Sequence, residues 1–140
     1  MRDFRELKVW KRSHELTLLM YKATTKFPMS ERFELTNQIR RCAASIPANI
    51  AEGCGRRGNG ELHRFLQIAA GSGSELDYHL LLARDLGYLP DERYQELIKV
   101  VVEVRRMLTA LIQKVDAARV SSDYWKTKPA ASFERPNTNH

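Results

Sequence analysis

Apolar residues recur along this chain at steps of three and four over four long stretches, and no stretch alternates, so the pattern predicts helices and no strand. In the first stretch, about residues 5 to 26, Leu7, Trp10, His14, Leu18 and Tyr21 form the expected core stripe, and Phe27-Pro28 ends it. Ser30 is expected to cap the second helix, with Glu31 in its first turn and Phe33, Leu35, Ile39, Cys42, Ala43, Ile46 and Ile50 facing inward. The run Gly53-Cys54-Gly55-Arg56-Arg57-Gly58-Asn59-Gly60 reads as the loop that closes it. The third stretch, about residues 60 to 87, carries Leu62, Phe65, Leu66, Ala69, Gly73, Leu76, Leu80 and Ala83, with Gly87 as its C-terminal glycine cap. Leu89-Pro90-Asp91-Glu92 then restarts a helix, with acids near the positive end of its dipole, and Leu97, Val101, Val104, Leu108, Leu111 and Val115 carry it to about residue 118.

Short connections favour antiparallel neighbours, so the expected fold is all-α: an up-down-up-down four-helix bundle over residues 1–118, followed by a flexible polar tail over 119–140. Pro47 falls inside the second helix, where it removes one hydrogen bond. It should kink that helix, with Ser45 or Asn49 helping to satisfy the freed carbonyl. Two helices are more apolar than one bundle requires. Val100, Val101, Val102, Val104, Met107, Leu108, Leu111, Ile112 and Val115 cover more than half the circumference of the fourth, and Val9, Leu16 and Met20 add a second line to the first. A thickly packed monomer would absorb them, but a homo-oligomer that buries these second faces is the preferred reading.

Charge adds a partner to this picture. The chain carries +6 overall, and all of the surplus lies early: residues 1–57 hold 12 basic and 6 acidic side chains, residues 58–140 hold 11 of each. That asymmetry suits a polyanion. With no run near the roughly 18 apolar residues needed to cross a bilayer, and no apolar signal-peptide core after Met1-Arg2-Asp3-Phe4, the expectation is a cytoplasmic protein without a membrane role. Cys42 and Cys54 form no CxxC and read as free thiols.

Several motifs point to chemistry that their context denies. Gly53-x-Gly55-x-x-Gly58 matches a dinucleotide fingerprint, but that motif must follow a strand, and here a helix precedes it. Gly71-Ser72-Gly73-Ser74 lies within a helical period and lacks the lysine of a phosphate loop, so its small residues should let another helix approach. A di-iron bundle needs Glu three residues before its histidines, whereas Lys11, Gly60 and Leu76 precede His14, His63 and His79. Glu75 and His79, one turn apart, read as a polar pair, and His14 as a partly buried packing residue. No catalytic set stands out, and no cofactor or metal is expected.

Basic residues carry more. Lys8, Lys11 and Arg12 share one arc of about 100° on the first helix with Glu15, Leu19 and Lys22. Arg40 and Arg41 follow on the second helix, Arg56 and Arg57 in its closing loop, and Arg64 a turn into the third. Lys8, Lys11, Arg12, Arg40, Arg41, Arg56, Arg57 and Arg64 are therefore the candidate nucleic-acid-binding residues, neutralising phosphates without reading bases.

The string Arg40-Arg41-Cys42-Ala43-Ala44-Ser45-Ile46-Pro47-Ala48-Asn49-Ile50-Ala51-Glu52-Gly53, with Phe4-x-x-Leu7-x-Val9-Trp10 and Gly71-Ser72-x-x-Glu75-Leu76, closely resembles the bacterial four-helix-bundle family encoded in intervening sequences of large-subunit ribosomal RNA genes. The resemblance spans roughly residues 4 to 117. It implies an antiparallel bundle, a ring-like homopentamer, and no catalytic residues to carry over. A distant branch is similar to the accessory protein of diversity-generating retroelements, so the resemblance implies further copies of the chain, nucleic acid, and a reverse transcriptase or another protein as partners. The expected function is a non-enzymatic, oligomeric protein that binds structured RNA or an RNA-protein assembly through a basic face. The alternative is a homo-oligomeric interaction scaffold with no nucleic-acid role.

Overall fold

The computed structural model describes residues 3–127, the side chains of 121–127 excepted. Four helices follow one another: α1 (Lys8–Ala23), α2 (Leu35–Gly55), α3 (Gly58–Asp85) and α4 (Asp91–Thr127). Among the described residues there is no strand. Cross-helix contacts fix the directions. Thr17 meets Ala43 while the later Thr24 meets the earlier Arg40; Ser45 meets Ser72 while Gly53 lies against Phe65; and Asp77 meets Arg105 while His63 meets Asp116, so each helix runs antiparallel to the next. The all-α, up-down-up-down expectation is met.

Leu16, Met20, Ile39, Ile46, Ile50, Leu62, Leu66, Leu76, Leu80, Leu97, Val101 and Leu108 are almost wholly withdrawn from solvent. Each large aliphatic side chain buried this way contributes about 1.5–3 kcal/mol. Helices α2 and α3 pack most closely, because Gly53 brings the two backbones together. A Cβ there would stand 3.0 Å from Phe65 Cβ and 3.1 Å from Leu62 Cδ1.

The face of α1 is the reverse of the expected one. Val9, Ser13, Leu16, Thr17 and Met20 are buried, whereas Leu18 and Tyr21 are 57% and 46% exposed and His14 lies on the surface. Ser13 and Thr17 are tolerated inside because their hydroxyls donate to the carbonyls of Trp10 and Ser13 at 2.9 Å. His14 stacks on Trp10 at 5.2 Å between ring centroids rather than entering the core.

Pro47 is buried within α2 without ending it. Lacking an N–H, it leaves the carbonyl of Ala43 without the donor four residues on. Thr17 Oγ1, reaching across from α1, donates to that carbonyl at 3.1 Å. The expectation that Ser45 or Asn49 would serve is corrected: Asn49 Nδ2 donates instead to Ser45, at its carbonyl (2.8 Å) and its hydroxyl (2.9 Å).

Helix ends differ from expectation in informative ways. Short 3-10 turns flank α1, which is shorter than the predicted 5–26. Ser30 does not cap α2, which starts at Leu35, and Phe33 is 82% exposed. Glu31 does the tethering: one carboxylate oxygen accepts from Leu35 N at 3.3 Å and the other from the Tyr88 hydroxyl at 2.8 Å. The glycine-rich run is mostly helical, since only Arg56 and Arg57 separate α2 from α3. Gly87 ends α3 as expected. At φ +82 it lets its own N–H reach Arg84 O and the next N–H reach Ala83 O. Helix α4 continues past residue 118 to Thr127, so the first part of the expected tail is helical; residues 128–140 lie outside the described residues.

The small residues of α3 receive neighbours on both sides. Ser72 Oγ meets Ser45 Oγ at 2.8 Å. Gly73 lies under the stem of Arg105, whose Cγ would be 3.2 Å from a Cβ there and whose guanidinium reaches Asp77 at 2.7 Å.

Candidate nucleic-acid interface

The eight candidate cations do not gather on one face. Arg12 is a strut between α1 and α4, donating to Glu103 at 2.8 Å and to Glu15 at 3.1 Å. The bond to Glu103, helped by Glu15, raises its already high pKa. Arg40 serves the C-terminal end of α1. It donates to Thr24 Oγ1 at 2.8 Å and to the carbonyl of Tyr21 at 3.2 Å, and lies over the Tyr21 ring at 4.7 Å. A cation there complements the negative end of the helix dipole. Arg41 turns to the other side of α2, lining a cleft with Gln38, Cys42, Ser45, Ser72 and Glu75.

At the far end of α2, roughly 22 Å from Arg41 at 1.5 Å per residue, a second group does come together. Arg56 and Arg64 lie over the same ring, Phe65, at 5.3 and 4.4 Å. Arg57, exposed, is the N-cap residue at the entry to α3. Glu52 pairs with Arg56 at 2.9 Å, and Glu61 with Arg64 at 3.3 Å. The Arg64 hydrogen bond holds the Glu61 carboxyl below the ordinary carboxylate range. Because α1 runs antiparallel to α2, the exposed Lys8 and Lys11 belong to this same end of the bundle.

The backbone strengthens this end. Arg57 gives α3 no side-chain cap, and Gly58, Gly55 and Gly60 have open space where a Cβ would project. The 28-residue helix α3 therefore begins beside the Arg56 and Arg64 guanidinium groups. The positive end of a helix dipole and nearby guanidinium groups both favour an anion. The positions of Arg56, Arg57 and Arg64 were visible in the sequence. The convergence of Arg56 and Arg64 on Phe65 was not, because it depends on the two-residue turn.

A different cluster lies between α2 and α3. Cys42 Sγ is 3.4 Å from Glu75 Oε2, and His79 Nε2 is 3.7 Å from the same oxygen. Burial, together with the Glu75 carboxylate, pushes the Cys42 thiol up to about 12. Glu75–His79 was legible as a one-turn spacing, whereas Cys42 needed the α2–α3 register. Cys42 and Cys54 are both buried and neither forms a disulfide.

The described residues define an all-helical, four-helix bundle with a basic turn between α2 and α3. Residues 5–110 match the family model of the 23S rRNA-intervening sequence protein, and the chain belongs to that family. Among solved structures, a protein of unknown function from the S23 ribosomal protein family of Bacteroides thetaiotaomicron is similar, with a TM-score of 0.67 at 26% identity. The alignment covers 74% of this chain and 97% of that one. No curated protein matches. Among the described residues no helix is long and apolar enough to cross a membrane.

Proposed function

We propose that this protein is a non-enzymatic, oligomeric binder of structured RNA, alone or in an RNA-protein assembly, that grips phosphates at the α2–α3 turn. The observation that carries the reading is the convergence of Arg56 and Arg64 over Phe65, with exposed Arg57 in the two-residue turn that joins α2 to α3. Guanidinium groups and backbone amides bind phosphate oxygens without reading bases, so recognition rests on shape and charge. The family's association with ribosomal RNA genes supports RNA as the polyanion. Lys8 and Lys11 extend the basic end, while Arg12 and Arg40 act as struts.

Assembly is the second half of the reading. Leu18 and Tyr21 stand exposed on α1, beside half-buried Leu7 and Trp10, and Val102, Met107 and Ile112 are half-buried on α4. Copies joined through these faces, five to a ring, would repeat the basic turn and multiply weak contacts into avidity.

The test is RNA binding across a salt series. Wild-type affinity should fall with a log-log slope of about −0.7 per phosphate neutralised on single-stranded segments. Arg56→Glu with Arg57→Glu should weaken binding to all sequences and flatten the slope, whereas Lys26→Glu with Arg32→Glu, at the opposite end, should change it little. If both double variants bind alike, or wild type shows no salt-sensitive binding, the exposed apolar faces leave the interaction scaffold as the reading.

A further inference from the structure

The cleft between α2 and α3 holds a set of side chains that RNA binding does not use. Cys42, Glu75 and His79 each present a ligand atom, and these atoms lie within 4.8 Å of one another. Cys42 and His79 are 8% and 9% exposed, while Glu75 opens to solvent. His79 is the anomaly. Both its ring nitrogens are shut off from water and neither has a hydrogen-bond partner, although buried polar atoms are otherwise almost always satisfied. Glu75 lies just beyond hydrogen-bond reach of Nε2, at 3.7 Å.

From this geometry we infer that Cys42, Glu75 and His79 form a binding site for a divalent transition metal ion, zinc by preference. Ligand bonds of about 2.3 Å to sulfur and about 2.0 Å to nitrogen or carboxylate oxygen, at tetrahedral angles, set the ligand atoms about 3.3–3.5 Å apart. The observed separations of 3.4 and 3.7 Å already approach that spacing. An ion seated among them gives one of the two unpartnered His79 nitrogens a partner. One thiolate, one carboxylate and one neutral imidazole neutralise a 2+ ion, and the mixed sulfur, oxygen and nitrogen set suits zinc over calcium or magnesium. On binding, the Cys42 S–H proton passes to solvent as the metal–sulfur bond forms, with no change of oxidation state. Water fills the fourth position from the cleft lined by Gln38, Ser45 and Ser72.

Arg41 on the rim opposes the ion's charge. Binding therefore depends on both anionic ligands. Removing a ligand should cost at least the about tenfold typical of losing a group that merely orients one.

Cobalt titration of the full-length chain under reducing conditions tests the site. One equivalent of Co2+ should produce visible bands of tetrahedral strength and a near-ultraviolet thiolate-to-cobalt band, both abolished by added Zn2+. Cys42→Ser should remove the thiolate band, Cys54→Ser should keep it, and Glu75→Gln should weaken binding about tenfold or more. Glu75 is a surface residue, so Glu75→Gln reports on the site even if Cys42→Ser fails to fold. A spectrum with only weak octahedral bands, a thiolate band that survives Cys42→Ser, or unchanged affinity in Glu75→Gln would overturn the assignment.

Discussion

Replacing Thr17 with Val removes a hydroxyl while keeping the shape of a buried side chain. The hydroxyl has one proton, and two carbonyls lie within its reach, Ser13 O at 2.9 Å and Ala43 O at 3.1 Å. The Ser13 carbonyl also receives the Thr17 backbone N–H in the helix ladder, so it is not stranded. The Ala43 carbonyl is, because Pro47 offers no N–H to it. An unsatisfied buried carbonyl costs about 1–3 kcal/mol, and that is the expected loss in Thr17→Val.

The argument has a sharper form in the double variant. Pro47→Ala restores an N–H four residues after Ala43, so adding Thr17→Val should then cost only a few tenths of a kcal/mol, as roughly expected when no polar group is left stranded. The effect of Pro47→Ala on the entropy of the unfolded chain enters both arms of the cycle and cancels. A coupling of about 1–2 kcal/mol between the two sites should follow. Urea unfolding of the four proteins at one fixed concentration measures it. If the two effects add to within about 0.5 kcal/mol, Thr17 is not the substitute donor and the account of Pro47 fails.

Gly53→Ala should destabilise the bundle by about 1–3 kcal/mol, since its Cβ would overlap Phe65 and Leu62. Gly71→Ala, whose Cβ meets nothing within 4 Å, should instead stabilise it by about 0.5–1 kcal/mol in the same unfolding assay. With its thiol pushed up to about 12, Cys42 in the metal-free protein should resist alkylation near neutral pH until denaturant is added, as peptide mapping would show. A raised folded pKa favours the native state below the thiol's ordinary value of 9.0, so stability should be flat from this group at neutral pH and decline as pH rises from there towards 12. Leu18→Lys should leave far-ultraviolet dichroism unchanged, because the side chain is exposed, yet lower the sedimenting mass if copies join through α1 as proposed; an unchanged mass would remove α1 from the proposed interface.

Most of the fold was legible because its signals are local and repeated. Apart from Phe33, the apolar positions read for α2 and α3 are buried, and Gly87 adopts the positive φ its position requires. The two ends of α2 were less legible for different reasons. Glu31 bonds both Leu35 and Tyr88, so the start of the helix is fixed by a partner more than 50 residues away in sequence. At the other end, glycine was read as a loop signal where Gly53 is there for close packing instead.

The reversed face of α1 and the misassigned support for Pro47 have one cause. Leu7, Trp10, His14, Leu18 and Tyr21 look more apolar than a line interrupted by Ser13 and Thr17, so sequence periodicity favours the wrong side. Thr17 is inside because α2 carries a proline that strands a carbonyl at Ala43. A polar residue in one helix thus answers a missing N–H in another, and neither position explains itself without the register between them. The same dependence governs the chemistry of the surface. Arg40 and Arg41 are adjacent in sequence and face different helices, one bonded to the end of α1 and the other lining the cleft toward α3. Arg56 and Arg64, eight positions apart, meet over one ring because a two-residue turn folds α3 back on α2. Charge along the sequence therefore gives the supply of cations, and the turn geometry decides which of them gather at one end of the bundle.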